Sequence, residues 1–407
     1  MLLICKYWLD AYKALDKTGA NYIAIIEEHD IDKVDPNHEL IGGMKGKFIV
    51  KSVDSIEAMA GVANSIQIAN INIDRVISIG ELSQYGAGFL AELLKCKGLS
   101  YSSVNLTRDK FLMKKTFTHG NLPCAKFHLI SDFIEEPEFG YPMVAKPVCG
   151  FGSLNTSIIE NRNDLDSYVS AFENEKDSHL IANGIILEEY ITGEEFAADC
   201  VIVDSKIKLL SISKYIMPRI DLILNKGKYD SVEHLTRSHY KNIYDKIELS
   251  YTKIIKYFDI DNCACHLEFF INSDGNIILS EVASRPGGAY LNYMALHVYG
   301  KTIYETWFEA IVNNDKNTVS ELHPQQHVII VSIIPQKSGK LITLPDLDQF
   351  RHLNTLIDIL PRKKLGDNTI AHSIIDFTCY FAFRGDDLNK IKKDIAIFSN
   401  SFNYEIE

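Results

Sequence analysis

The chain has 407 residues, 46% of them hydrophobic and 24% charged, enough for two or three domains with ample core. Its net charge of −12 argues against a nucleic-acid binder, which would present basic patches. No apolar run approaches the roughly 18 residues of a membrane span, and MLLICKYWLD meets Lys6 too early for a signal-peptide core, so no membrane partner and a cytoplasmic location are expected.

The first 95 residues alternate two patterns. Apolar runs at Leu2–Cys5, Tyr22–Ile26, Phe48–Val50 and Val76–Ile79 are separated by helical-period segments near Trp8–Thr18, Asp54–Ala69 and Glu81–Leu94. That order predicts an α/β unit with a parallel sheet, although no G-x-G-x-x-G follows the first strand. From about residue 105 the texture turns α+β. Asn105–Lys110 leads into a helix, and short strands, turns and helices follow. Near the end, a strand is expected at His327–Ile334 and a turn at Pro335–Lys340, while KNTVSELHPQQH (Lys316–His327) reads as a linker or surface loop. The eight cysteines are scattered through apolar runs without a C-x-x-C, which suits reduced core residues; Cys263 and Cys265 share one strand face.

Three segments carry chemistry. In VAKPVCGFGS (Val144–Ser153) a lysine on a short strand precedes a loop with two glycines, the reverse of the order in a P-loop. In ILEEYITGEEFAADC (Ile186–Cys200) a strand bearing Glu188 and Glu189 turns at Thr192-Gly193 and continues through Glu195; its backbone suits adenine and a nearby carboxylate suits ribose hydroxyls. In CHLEFFINSDGNIILSEVASRPGG (Cys265–Gly288), Asp274-Gly275 signals a two-residue hairpin turn. Ser273 then faces Asn276, and Glu268 falls directly opposite Glu281. Opposed like charges destabilise a sheet by up to about 1 kcal/mol, more when buried. Two exposed edge glutamates are the bland alternative, but Leu267, Phe269, Phe270 and Ile277–Leu279 imply a buried hairpin. A cation removes the conflict, and oxygen-only ligands favour Mg²⁺ or Mn²⁺ shared with nucleotide phosphates.

Taken together, Lys110, Lys146 with its glycine loop, the E-E-Y-I-x-G-x-E strand and the paired glutamates followed by R-P-G-G resemble the ATP-grasp superfamily over about residues 105 to 300. E-V-A-S-R-P-G-G and VIIVSIIPQKSGKL are similar to the carboxylate–amine ligase branch that includes the L-amino-acid ligases, which make dipeptides. The resemblance implies an ATP-grasp fold, with nucleotide held between two antiparallel sheets behind an N-terminal parallel-sheet domain. Its implied divisions are residues 1–95, 96–185 with the lid, 186–315 with the metal hairpin, and a C-terminal lobe at 316–407.

Roles follow by resemblance alone. Lys110 and Lys146 would contact ATP phosphates, and Gly150, Phe151, Gly152 and Ser153 would cover them as a lid. The backbone of Glu189 and Ile191 would meet adenine, beside Glu188 and Tyr190, and Glu195 would bind ribose. Glu268 and Glu281 would hold two Mg²⁺ ions, or Mn²⁺. Arg285 would sit over the transferring phosphoryl group or acyl phosphate, with Gly287 and Gly288 opening the acyl-acceptor pocket. Lys214 and His266 are further candidates for the ATP site, weighed against a solvated strand end and a structural histidine; His234 and His239 read as loop residues. Many members carry an Asn two residues after the second metal glutamate, where this chain has Ala283. Water or a bidentate Glu281 then replaces that ligand, or the second ion is held less tightly.

The implied reaction activates a carboxylate as an acyl phosphate, which an amine attacks to give an amide, ADP and phosphate. Two amino acids are the expected substrates, and the acidic surplus is compatible with a cationic one such as arginine. Another acid and amine, or a nucleotide-binding regulatory module without turnover, are the alternatives. A homodimer through the front domain is also implied.

Overall fold

The computed structural model describes residues 1–33, 43–130, 137–174, 184–224, 227–288, 290–315, 317–373 and 376–407. Strands Leu2–Cys5 and Tyr22–Glu27 show no polar alternation because helices cover both of their faces. They form the middle of a parallel sheet in the order Met44–Val50, Tyr22–Glu27, Leu2–Cys5, Arg75–Ser78. The edge strand Met44–Val50 turns Lys45 and Lys47 to solvent, a device that discourages further strand pairing. Helix Leu9–Lys17 packs on one face; Ile56–Ile68, capped by Ser55, and Gln84–Leu94 pack on the other. The helix expected from Glu81 starts instead at Gln84, after a 3₁₀ turn at Glu81–Ser83.

Asn105–Lys110 does lead into a helix, Lys110–His119, but its first four residues are themselves the end of another, Tyr101–Arg108. Asp109 breaks the chain direction and caps the next helix, Lys110–His119, by accepting from the Leu112 N–H. A four-stranded antiparallel sheet follows, in the order Phe127–Leu129, Ile185–Glu189, Met143–Pro147, Ser157–Ile159. Ile185–Glu189, placed by sequence at the start of the second subdomain, therefore hydrogen-bonds into the sheet that precedes it.

The second antiparallel sheet has eight strands. Its order is Ile277–Ala283, Cys263–Asn272, Gly193–Val203, Lys206–Tyr215, Tyr229–His234, His327–Ile333, Cys379–Gly385, Leu356–Pro361. Along Gly193–Val203 alternate residues enter opposite cores: Ala197 and Val201 on one face, Phe196, Ala198 and Cys200 on the other. Helices Leu291–Tyr299 and Ile303–Val312 cover the first face, and Lys241–Tyr257 covers the second. Strands from the C-terminal quarter thus extend the same sheet that carries the glutamate hairpin.

All eight cysteines are free thiols; Cys263 and Cys265 share a core with Cys200, as their spacing predicts. The stretch read as a linker has no helix or strand at 317–326, with Lys316 outside the described residues, yet it is pinned down: Val319 N–H donates to Lys208 O and Leu322 N–H to Val298 O. No helix among the described residues is long and apolar enough to cross a membrane.

Gly86 lies where helix Gln84–Leu94 crosses the Val53 backbone, and a Cβ there would stand 1.8 Å from the Val53 carbonyl oxygen. Gly86→Ala should cost roughly 2–3 kcal/mol through this backbone clash, read as a lowered melting temperature of the full chain. An unchanged melt would contradict the packing described.

Candidate active site

The two sheets face each other across a cleft of about 260 Å³. The hairpin from the large sheet supplies its acidic wall. Its turn has three residues rather than the expected two: Gly275, at φ +75°, donates its N–H to Asn272 O, and Asn272 pairs with Asn276 across Ser273–Gly275. This shifts the register by one, so that Phe269 faces Leu279. A bulge at Ser280 shifts it back, and Glu268 does stand opposite Glu281.

Cations meet these carboxylates from other elements. Lys110, at the first position of its helix, places Nζ 3.0 Å from a Glu281 oxygen and donates to Gly150 O at 2.7 Å. Burial alone would raise the Glu281 pKa; Lys110, Lys146 and Arg285 outweigh it and hold the carboxyl well below the usual range. Glu268 instead receives His266 Nε2 at 3.3 Å, while His266 Nδ1 lies 3.2 Å from Asp199. Burial would lower the imidazole, but Asp199 and Glu268 together raise it to about 10.

The small sheet supplies the opposite wall. Lys146 reaches Glu188 at 3.0 Å, and a second lysine, Lys114, reaches the other Glu188 oxygen at 3.0 Å. Against the pull of burial, Lys114 and then Lys146 keep the Glu188 pKa low. The loop after Lys146 bends through Gly152 at φ +57° and Ser153 at +53°, and both Gly150 and Ser153 line the cleft. On strand Ile185–Glu189 the Glu189 N–H already donates to Lys126 O, so that amide is not free for a ligand. Glu189, Tyr190 and Ile191 all line the cleft. Glu195 accepts from the Arg219 N–H at 2.6 Å; burial, then Glu268, pushes its carboxyl up to about 7.

At the far end, Arg285 is gripped by Glu81 of the N-terminal unit, which also binds Arg108. Burial would raise Glu81, but Arg285, Arg108 and Lys110 hold it at about 2. Gly287 donates its N–H to Asp199 at 2.7 Å, so that amide braces the loop and is not free for a substrate. A Cβ on Gly287 would fall 2.6 Å from Asp199 Oδ1 and 2.7 Å from His266 Nδ1. Gly288 has open space around it.

Lys214 is not brought into the site: it sits on its predicted strand but pairs with Glu194 and does not line the cleft. His234 ends a strand, buried against Glu321, and His239 bonds Thr236 in the following turn. Sequence reading missed Lys114, Asp199, Glu81 and Arg219. The Arg219 guanidinium is clamped by both Asp230 oxygens at 2.5 and 2.7 Å and lies over the Tyr215 ring at 4.0 Å. The one available signal was Lys114, a helical turn beyond Lys110 and therefore on the same face.

The ATP-grasp domain family matches residues 139–292, which span the lysine loop, both cleft strands and the hairpin. This chain carries an ATP-grasp domain. An L-arginine-specific L-amino acid ligase from Bacillus subtilis is 25% identical over 332 residues, covering 79% of this chain and 76% of that protein. A D-alanine–D-alanine ligase from Pediococcus pentosaceus is 25% identical over 210 residues, 51% of each chain. Among solved structures, the L-amino acid ligase from Bacillus licheniformis superposes with a TM-score of 0.76 at 16% identity, covering 100% of this chain and 98% of that one. The likeness bears out the ATP-grasp fold expected from the motifs.

Two outcomes are expected. Gly287→Ala forces apart Asp199 and His266, so kcat should fall roughly 100-fold while nucleotide binding, measured by titration calorimetry, stays near wild type; normal turnover would refute the bracing role. Glu195 ionises at about 7 in the folded chain against 4.5 ordinarily, so its neutral form favours folding, and that contribution is lost as pH rises through this window. In melts of the nucleotide-free chain from pH 4.5 to 8, Glu195→Gln should decline less than wild type; parallel curves would count against the shift.

Proposed function

We propose that this ATP-grasp ligase joins two L-amino acids, converting the carboxylate of one into an acyl phosphate with ATP and releasing ADP and phosphate as the amine of the other attacks. The carrying observation is the opposed pair Glu268 and Glu281, set across the cleft from Lys146 with Lys110 and Arg285 beside it. The amino-acid ligases similar to this chain support the choice of substrates, and the arginine-specific one supports arginine as a first candidate.

The donor set fits Mg²⁺. Its ligands would be carboxylate oxygens, Glu281 is held ionised by its cationic neighbours, and no cysteine lines the cleft among the described residues. Ala283, nearly buried, offers no third ligand where an Asn is common. Mg²⁺ bound at Glu268 and Glu281 would neutralise phosphate charge and hold the terminal phosphoryl group for transfer. The protein's own contribution is positioning and electrostatics. Lys146 and Lys110 draw the phosphates toward the hairpin, and the loop at Gly150–Ser153 covers them and keeps water from an acyl phosphate. Arg285, steadied by Glu81, offsets negative charge where the phosphoryl group meets the carboxylate. No side-chain nucleophile is required.

Phosphate release from Mg·ATP, measured over pairs of amino acids with arginine first and followed by mass spectrometry, tests this reading. Release that needs a particular pair, with a product mass equal to both acids less water, is expected. Binding of ATP with silence across the panel would favour the nucleotide-binding reading that Ala283 supports. Glu268→Gln and Glu281→Gln should each lower kcat roughly 100-fold or more, and Glu281→Gln should also lower the melting temperature, because it leaves Lys110 without its carboxylate partner. Near-native turnover of either would remove the metal assignment.

A further inference from the structure

We infer that Lys114, a residue outside every recognised motif, is a positioning residue that sets the charge Lys146 presents to the nucleotide phosphates by sharing Glu188 with it. The inference rests on the reading of the cleft as an ATP site.

Lys114 is fully buried on helix Lys110–His119, yet its side chain forms part of the cleft wall. A lysine so placed is costly unless paired, and one carboxylate would suffice to pair one lysine. Here a single carboxylate serves two. Glu188 gives one oxygen to Lys114 and the other to Lys146, each at 3.0 Å, so three side chains carry one net positive charge. Lys114 Nζ also lies 3.4 Å from Leu279 O, on the hairpin strand two residues before Glu281. The phosphate helix, the small sheet and the glutamate hairpin therefore meet at one ammonium group. Without it, both Glu188 oxygens would be left to Lys146, and the pair would present no net charge to a phosphate. Lys114 thus acts through Glu188 and Lys146.

Binding of Mg·ADP to the purified full chain, by titration calorimetry, reads this directly and does not depend on turnover. Lys114→Met should weaken ADP roughly tenfold. Lys114→Met combined with Glu188→Gln removes one charge of each sign and should bring affinity back to within about threefold of wild type. A packing role alone predicts the reverse: lower melting temperatures for both variants, with ADP affinity unchanged in the single variant or lower still in the double. Either of those results overturns the inference. If Lys114→Met does not fold, the comparison of the double variant with Glu188→Gln alone decides. With Glu188 neutral, loss of Lys114 should matter less than about threefold, and a larger loss overturns the idea. If wild type binds no Mg·ADP, the nucleotide reading falls and the inference with it; if wild type binds and Lys114→Met binds equally well, only the inference falls.

Discussion

Glu268 and Glu281 face each other, half-buried, on adjacent strands, and like charges at that spacing repel. Part of the polar architecture of the cleft relieves that repulsion. Lys110 leans onto Glu281 from a helix start, and His266 bridges Glu268 to Asp199. These partners come from several separate segments of the chain, so the hairpin is at once the least comfortable element and the one that ties the others together. A divalent cation at this pair, as proposed above, would meet two carboxylates already forced together.

The N-terminal unit is bound into the same network. Glu81, just beyond the end of its last parallel strand, holds Arg108 near the glycine loop and Arg285 beyond the hairpin. A parallel sheet delivers its loops at the carboxyl ends of its strands, and here one such loop delivers a single carboxylate to two arginines. The positions of Arg108 and Arg285 therefore depend on how the front unit is docked.

The sequence made the broad plan legible because its signals are local. Apolar runs marked the parallel strands, and the lysine–glycine loop, the acidic strand and the glutamate hairpin are each contiguous. The hairpin also shows how such reading errs. A two-residue turn was expected and a three-residue one is present, yet the Ser280 bulge compensates and the two glutamates still meet. Glu81 and Asp199 were invisible for a different reason: their partners Arg285 and Gly287 lie far away along the chain, and nothing in the nearby residues hints at them. Lys214 had the right strand but a competing carboxylate one strand over, and proximity won.

The continuity of the eight-stranded sheet has a practical side. Tyr229–His234 pairs with His327–Ile333, so the last quarter of the polypeptide closes what would otherwise be a bare β-edge rich in valine and isoleucine on the incoming strand. A fragment cut to the recognisable nucleotide-binding region would leave that edge without its neighbour, open to pairing with another molecule. The smallest piece of this protein that can be handled as a well-behaved solute is thus larger than the piece that its motifs delimit, and the C-terminal lobe belongs in it.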